Sequence, residues 1–201
     1  MGIHHLDVRA YTVSHTNPFK EIIMERLFNQ PVDAATGKAA QLFTAIRGAV
    51  GMVPNAYAAI GNNSPVALEA ALGLDAALRK GSLSARELEV VKLAVSEIAG
   101  CDYCLAAHTL FAGKLGLARE TIVQVRRNQA TGDARLDALT SFVHSVVATR
   151  GEVPAPVVAT VRAAGYTDAQ IVDTLLAVTS ITFTNLFNRV NATTLDFPAA
   201  D

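Results

Sequence analysis

The sequence predicts an all-α fold in a single domain. From Val32 onwards, apolar residues recur at helical spacing between glycines and prolines that interrupt helices. Beyond residue 31, no stretch shows the alternation of apolar and polar side chains that is typical of a half-buried strand. No low-complexity linker divides the 201 residues, a length that suits one domain. We expect an N-terminal arm over residues 1–31 and one helical domain over residues 32–201.

The helices of the first half are predicted from residues that start and stop helices. Ser64 has the character of an N-cap, and Pro65 follows at the first helical position. Gly51, Gly61 and Gly81 each follow a run of helical spacing and are expected to end it. The expected helices of this half are 18–29, 33–50, 53–61 and 65–81.

The second half begins with the capping box Ser84 and Glu87, three residues apart. Gly100 is expected to end that helix, and a new one begins at Cys101 or Asp102 and continues to Gly116. The remaining expected helices are 119–128, 133–150, 154–165 and one from 168 to beyond 187.

The composition indicates a soluble, cytoplasmic protein that associates with itself. Half of the residues, 51%, are hydrophobic, and only 17% are charged, so part of the surface is expected to be covered in a homo-oligomer. The net charge of −1 gives no basic surface for nucleic acid or an anionic membrane. We predict no signal peptide from the first residues, and the apolar run 171–187 is too short and too polar for a membrane span.

Both cysteines lie in one short segment, 97-EIAGCDYCLAAH-108. On a helix that turns about 100° per residue, Cys101, Cys104 and His108 share one face. A thiol in the first turn meets the positive end of the helix dipole, which lowers its pKa and favours the reactive thiolate. Two thiols at this spacing can close a disulfide, and the histidine can take up a proton and return it. The segment therefore favours a catalytic dithiol.

Two other interpretations of the segment stay open. Cys101, Cys104 and His108 would supply three ligands for zinc, but the other histidines have no ligand-like spacing with them, so we expect no metal or cofactor. These are His4, His5, His15 and His144. The two thiols would alternatively be buried packing residues of a core helix. A structural disulfide is disfavoured in a reducing compartment.

Two carboxylates are candidate partners of His108. Glu97 would share the face of Cys101 and His108 if one straight helix passed through Gly100. Glu89 would then point about 120° away from Cys101. If the chain turns at Gly100, the helix of Glu89 packs beside the cysteine helix, and Glu89 can face His108. The spacing alone leaves both arrangements open.

The pattern E-x11-C-x2-C-x3-H, formed by Glu89, Cys101, Cys104 and His108, resembles the signature of the AhpD-like alkylhydroperoxidases. These belong to the carboxymuconolactone decarboxylase superfamily, and the similarity to its peroxidase-related branch extends over about 53–178. The resemblance implies an all-α, AhpD-like fold that assembles as a trimer or as a hexamer.

The resemblance also implies a thiol-dependent peroxidase of antioxidant defence. Glu89 would orient His108, and His108 would deprotonate Cys104 through a water. Cys104 would attack a hydroperoxide and become a sulfenic acid, with which Cys101 would form a disulfide. An external dithiol, in the family a lipoyl group on a protein, would reduce that disulfide. The alternatives are a redox-sensing or structural oligomer without enzymatic activity, and lactone decarboxylase chemistry, which does not require both cysteines.

Five further residues are less specific. Tyr103 stands where the best-studied branch often has a second histidine, and we expect it to shape the pocket or to pack, because tyrosine does not shuttle protons near neutral pH. His144 lies on an apolar helical face as a core or interface histidine. Asn185, Asn188 and Arg189 are expected at a subunit interface first, and as a second wall of the pocket otherwise.

Overall fold

The computed structural model describes residues 25–200, and within this range it contains α-helices, one short 3-10 helix and no strand. The 3-10 helix covers Val32–Ala34. The α-helices are α1 (Gly37–Val50), α2 (Asn55–Asn63), α3 (Pro65–Leu78), α4 (Ala85–Ala99), α5 (Asp102–Lys114), α6 (Arg119–Arg126), α7 (Ala134–Thr149), α8 (Ala155–Ala163) and α9 (Asp168–Asn191). The predicted all-α class is confirmed.

Helix α4 is the central element of the fold. It packs against α5, α6, α7 and α9, and its side chains are buried on nearly all sides. Such a helix suits the continuous apolar run 88-LEVVKLAV-95. A second, smaller apolar cluster joins α1, α2 and α3 around Phe43, Ile60 and Leu68. Because α5 and α9 both lie against α4, side chains from three helices can meet beside it.

The chain reverses direction between α4 and α5 at Gly100. This residue adopts φ +61° and ψ +43°, the left-handed conformation that glycine enters without the penalty of a Cβ atom. Its N–H donates to the Glu97 carbonyl at 3.0 Å, and the Cys101 N–H donates to the Ser96 carbonyl at 3.1 Å. The turn predicted at Gly100 is therefore confirmed, and the straight-helix alternative is wrong.

Both predicted N-caps are confirmed. Ser64 Oγ accepts a hydrogen bond from the Ala67 N–H at 3.2 Å at the start of α3. Ser84 Oγ accepts from the Glu87 N–H at 3.2 Å, and Glu87 Oε2 accepts from the Ser84 N–H at 2.8 Å, which completes the capping box of α4. These local bonds fix where α4 begins, and hence which of its side chains face α5.

The first helices differ in part from the prediction. The predicted helix 33–50 is confirmed as α1 except at its start, because the chain makes a 3-10 turn, extends at Ala35 and Thr36, and only then begins α1. Of the predicted helix 18–29, residues 18–24 lie outside the described range, and 25–29 are not helical. The Arg26 and Leu27 N–H groups donate to Asn191 at the end of α9, not to a helix of their own. The arm–domain boundary stays a prediction.

Helix α9 has the length and mean hydropathy, 1.2, that a membrane span requires. One such helix does not show a span, because core helices of soluble proteins have the same properties. Here α9 packs along α4 and buries the polar side chains of Thr174, Asn185, Asn188 and Asn191. That arrangement is typical of a helix on a protein core.

Candidate active site

Glu89 and His108 meet across the α4–α5 contact. Glu89 Oε2 and His108 Nδ1 lie 2.7 Å apart, and Glu89 is only 7% exposed. A carboxylate only accepts hydrogen bonds, so Nδ1 carries the hydrogen of the neutral ring. The bond fixes the tautomer and orientation of His108, and Nε2 keeps a lone pair that can accept a proton.

Glu89 belongs to a buried group of charged side chains. Lys92 Nζ lies 3.8 Å from Glu89 Oε1 and 3.0 Å from Asp75 Oδ1, so one ammonium bridges carboxylates on α3 and α4. Burial opposes ionisation of Asp75, but the Lys92 ammonium outweighs it and holds the pKa of Asp75 below its usual range. This bridge has no signal in the sequence, because nothing in the spacing of Asp75 and Lys92 indicates that α3 and α4 are neighbours.

The two cysteines are free thiols at the start of α5. Cys101 is the N-cap, and its Sγ accepts a hydrogen bond from the Cys104 N–H at 3.4 Å. The hydrogen bond from the Cys104 thiol lowers the pKa of Cys101 against the opposing effect of burial. The same hydrogen bond and burial raise the pKa of Cys104 well above its usual range. In the reduced pair, Cys101 therefore ionises first, and Cys104 keeps the proton.

Helix α9 adds Asn188 to the site. Asn188 Nδ2 donates to Cys104 Sγ at 3.4 Å, and the residue is 4% exposed. Asn185 lies one turn earlier, where its Oδ1 accepts from Ser96 Oγ at 3.1 Å, and Arg189 donates to the Ala99 carbonyl. These contacts are internal to the chain. The first expectation of a subunit interface is therefore wrong for Asn188, and the pocket-wall alternative describes it.

Tyr103 is a buried bridge to the segment after α9. Its hydroxyl donates to Asp196 Oδ1 at 2.7 Å and accepts from the Ala56 N–H at 3.1 Å. Burial and the neighbouring Asp196 carboxylate raise the pKa of Tyr103 further above its ordinary value. Tyr103 stays neutral and positions structure around the cysteines, in line with the packing role expected for it.

Aromatic rings continue this bridge towards His108. The Phe197 ring meets Tyr103 edge-on with centroids 5.6 Å apart, and it meets Phe111 at 5.9 Å. Phe111 in turn lies 6.0 Å from the His108 ring. Asp196 and Phe197 could not be predicted as part of the site, because no local sequence pattern indicates that the segment after α9 folds back over α5.

The other candidate side chains lie elsewhere. Glu97 Oε2 accepts from Arg126 Nε on α6 at 2.6 Å, so Glu97 does not face His108. His144 is half-buried on α7, where burial lowers its pKa. His4, His5 and His15 lie outside the described residues. Within residues 25–200, no group of three or more His, Cys, Asp or Glu side chains has the arrangement of a metal site.

A cleft of about 410 Å³ opens beside the N-terminus of α5. Cys101, Tyr103, Asn188 and Arg189 line it together with residues 192–195. The cleft provides a route by which a small molecule or an extended side chain can approach the dithiol from the side of Cys101.

The candidate site residues lie within a segment that matches a known protein family. The model of the carboxymuconolactone decarboxylase family matches residues 65–134, a range that includes Glu89, both cysteines and His108. No protein in the curated set matches significantly.

Solved structures share the fold. The alkylhydroperoxidase AhpD core, uncharacterized peroxidase-related protein from Ralstonia eutropha JMP134 superposes with a TM-score of 0.77 at 21% identity, covering 86% of this chain and 93% of that one. An uncharacterized peroxidase-related protein from Silicibacter sp. TM1040 gives 0.71 at 23% identity, with 90% and 95% covered.

A third structure with the same fold is named for a different activity. The debrominase Bmp8, solved in complex with 2,3,4-tribromopyrrole, gives a TM-score of 0.66 at 16% identity, with 87% and 91% covered. The chain therefore contains a segment that matches the carboxymuconolactone decarboxylase family model, within a helical fold that it shares with AhpD-like and peroxidase-related structures.

Proposed function

We propose that the protein is a thiol-dependent peroxidase that reduces organic hydroperoxides through Cys101 and Cys104. The observation that carries the proposal is the dithiol at the start of α5, one turn from a histidine that is held by a buried carboxylate. A thiolate attacks O–O bonds, and a second thiol three residues away converts the product to a disulfide. An antioxidant role follows from this chemistry.

Cys104 is the attacking residue in this proposal, and His108 is its base. His108 follows Cys104 by one helical turn, and its Nε2 is free because Nδ1 donates to Glu89. Through a water, Nε2 takes up the Cys104 thiol proton. The thiolate sulfur then bonds to the hydroperoxide oxygen that carries the hydrogen, the O–O bond breaks, and the departing alkoxide recovers the proton from His108 as an alcohol.

Cys101 is the resolving residue. Its lowered pKa supplies a thiolate beside the Cys104 sulfenic acid. The S–S bond forms as the S–O bond breaks, and the hydroxide leaves as water after it takes up a proton. This role suits an N-cap sulfur that already accepts a hydrogen bond from the Cys104 backbone.

An external dithiol completes the cycle. One of its thiolates attacks the Cys101–Cys104 disulfide to give a mixed disulfide, and its second thiol releases the reduced enzyme. A lipoyl group on a partner protein is the proposed reductant, since it supplies two thiols on a long, narrow arm. The cleft beside Cys101 supports this access.

The pKa directions favour a second assignment, in which the cysteines exchange roles. Cys101 ionises first and borders the cleft, whereas Cys104 keeps its proton. In that case Cys101 attacks the peroxide and Cys104 resolves the sulfenic acid.

Peroxide consumption by the reduced, metal-free protein tests the proposal, with cumene hydroperoxide as substrate and dihydrolipoamide as reductant. We expect turnover by the wild type and none by Cys104→Ser. Cys101→Ser should stop after one oxidation with a sulfenic acid on Cys104, which dimedone labels for mass spectrometry. A dimedone adduct on Cys101 in Cys104→Ser, with none on Cys104 in Cys101→Ser, would establish the exchanged roles. A wild type that consumes no peroxide and forms no disulfide would contradict the peroxidase proposal.

Debromination is the other reaction to include in that assay, because a debrominase shares the fold. Parallel incubation with 2,3,4-tribromopyrrole and the same dithiol separates the two activities by bromide release. Lactone decarboxylation, which the family name suggests, is tested by comparing wild type with a variant that lacks both thiols. A purely redox-sensing protein would form the disulfide once without sustained turnover.

We also propose that the chain forms a homo-oligomer, a trimer or a hexamer, in the cytoplasm. Helix α9 exposes large apolar side chains along its length. These are Val172, Leu175, Leu176, Phe183, Leu186 and Val190. An exposed apolar strip of this length is typical of a surface that a partner covers.

A further inference from the structure

We propose that Asn188 is a further catalytic residue of the dithiol site: its amide N–H stabilises the Cys104 thiolate, and its amide oxygen accepts the O–H of the peroxide oxygen that moves to sulfur. The inference rests on the proposed function, because it takes Cys104 as the sulfur that is oxidised. It adds a residue from α9 to a mechanism otherwise confined to α4 and α5.

The donor half of the inference rests on a direct contact. Asn188 Nδ2 donates to Cys104 Sγ at 3.4 Å from a position that solvent scarcely reaches. The thiol hydrogen bond to Cys101 and burial raise the pKa of Cys104, whereas the hydrogen bond from Asn188 lowers it. Asn188 therefore offers a donor from α9 to a sulfur that must become an anion.

The acceptor half rests on an atom that lacks a partner. Asn188 Oδ1 is buried and accepts no hydrogen bond within residues 25–200. The amide of Asn185, one turn earlier, does not supply one, since its Nδ2 also lacks a partner. A buried carbonyl oxygen without a donor is rare in folded proteins and calls for an explanation.

A hydroperoxide explains the unpartnered oxygen. In R–O–O–H, the sulfur attacks the oxygen that bears hydrogen, RO⁻ departs, and that oxygen becomes the S–O–H of the sulfenic acid. Its hydrogen is present before and after the transfer. Asn188 Oδ1, on the same carboxamide that contacts Sγ, can accept that hydrogen throughout the step. The carboxamide would then orient the reactive oxygen while its N–H supports the sulfur.

The pH dependence of Cys104 alkylation tests the donor half. Iodoacetamide modification is followed in Cys101→Ser, in which Cys104 is the only thiol. Adding Asn188→Leu should move the midpoint upward by about one pH unit, the shift expected for loss of one hydrogen bond to a charged group. Asn188→Asp should move it further, because a carboxylate adds negative charge and removes the donor. Asn191→Leu, a buried asparagine bonded to Leu27 instead, is the matched control and should leave the midpoint unchanged.

Sulfenic acid formation at a pH above all the midpoints tests the acceptor half. Every variant then presents a thiolate, so a slower reaction reflects loss of the amide oxygen and not of ionisation. We expect Asn188→Leu to react with cumene hydroperoxide about tenfold more slowly than the Cys101→Ser background, the effect of one lost hydrogen bond. An unchanged rate would overturn the acceptor role, and an unchanged midpoint in Asn188→Leu would overturn the donor role.

The two proposals fail separately in these experiments. If the Cys101→Ser background itself forms no sulfenic acid at Cys104, the proposed function fails there, and the acceptor role fails with it. The alkylation midpoint uses no peroxide and still decides the donor role. If Asn188→Leu unfolds, the smaller and uncharged Asn188→Ala, which also lacks the donor, decides the donor role by its midpoint.

Discussion

His108 owes its orientation to a residue on a different helix. Glu89 approaches from α4 and accepts the Nδ1 hydrogen, and Lys92 lies 3.8 Å from the other carboxylate oxygen. When the imidazole takes up a proton at Nε2 during the reaction, the Glu89 carboxylate lies beside the positive charge. A neutral side chain of the same shape would keep the packing and lose this effect.

Glu89→Gln should therefore lower peroxide turnover by about 10²-fold, the lower end of the range for general acid–base catalysis. The amide cannot stabilise the imidazolium, and it can also hold the ring in the wrong tautomer. Steady-state turnover with cumene hydroperoxide and dihydrolipoamide measures the loss.

Glu97→Gln is the matched control, since it is the same substitution at another glutamate of α4. Its carboxylate bonds Arg126 on α6, so turnover should stay near the wild-type rate. A larger loss in Glu97→Gln than in Glu89→Gln would contradict the assignment of Glu89.

The spacing of Cys101, Cys104 and His108 singled out these three residues, and the resemblance to the AhpD-like signature selected Glu89 over Glu97. It did not reveal Asp196, which bonds Tyr103 across 93 positions of the chain, because a short polar residue in a loop has no pattern of its own. Asn188 was visible as a polar residue on an apolar helix, yet only the packing of α9 on α4 shows that it faces Cys104 and not a neighbouring subunit.

The α4–turn–α5 unit is the element that assembles the site. Gly100 holds the left-handed conformation that reverses the chain, and Cys101 begins the next helix directly afterwards. Two helices joined by so short a connection pack side by side, which brings Glu89 to His108 although 18 positions separate them in the chain.

Gly100→Ala should destabilise the fold by about 1–2 kcal/mol, the cost of a left-handed conformation in a residue with a Cβ atom. The added Cβ would lie 3.5 Å from Arg189 Nη1, an ordinary contact, so the cost is conformational and not steric. Urea denaturation followed by circular dichroism measures it.

Gly113→Ala supplies the comparison. Gly113 lies within α5, and a Cβ there would meet nothing within 4 Å, so the same change should stabilise the protein by about 0.5–1 kcal/mol. Equal effects of the two substitutions would show that the backbone conformation at Gly100 is not what the site depends on.

The end of a helix could be predicted where a nearby residue caps it. It could not be predicted where contacts with distant parts of the chain determine the backbone conformation. Ser64, Ser84 and Gly100 act within a few residues of themselves, and each lies where the sequence placed it. Residues 25–29 have helical spacing, but their backbone donors bond the end of α9. A distant acceptor of this kind leaves no trace in local sequence.

In the whole molecule, other helices surround α4, whereas α9 packs against the rest of the described chain on one side only. The all-α class was predictable because it depends on the period of apolar residues along most of the chain. The partner of the exposed side of α9 was not, because apolar residues on a helix look the same whether a core or a second subunit covers them. Leu186, 62% exposed, lies in the C-terminal half of that strip.

Leu186→Glu should lower the mass measured by size-exclusion chromatography with light scattering, because burying a carboxylate in an apolar interface is unfavourable. Val66→Glu is the control: Val66 is also apolar and exposed but belongs to α3, and the mass should not change. A wild-type protein that elutes as a monomer would contradict the proposed oligomer.

The ring of Phe197 gives the protein a natural position for an optical probe. The chain contains no tryptophan, so Phe197→Trp would place a single indole against Tyr103 and Phe111. Tyr103 directly precedes Cys104 in the chain, so the indole would lie close to the dithiol. Indole emission responds to small changes in nearby polarity and geometry. Closure of the dithiol would then be visible in real time as a change in fluorescence, without a dye and without removing either cysteine.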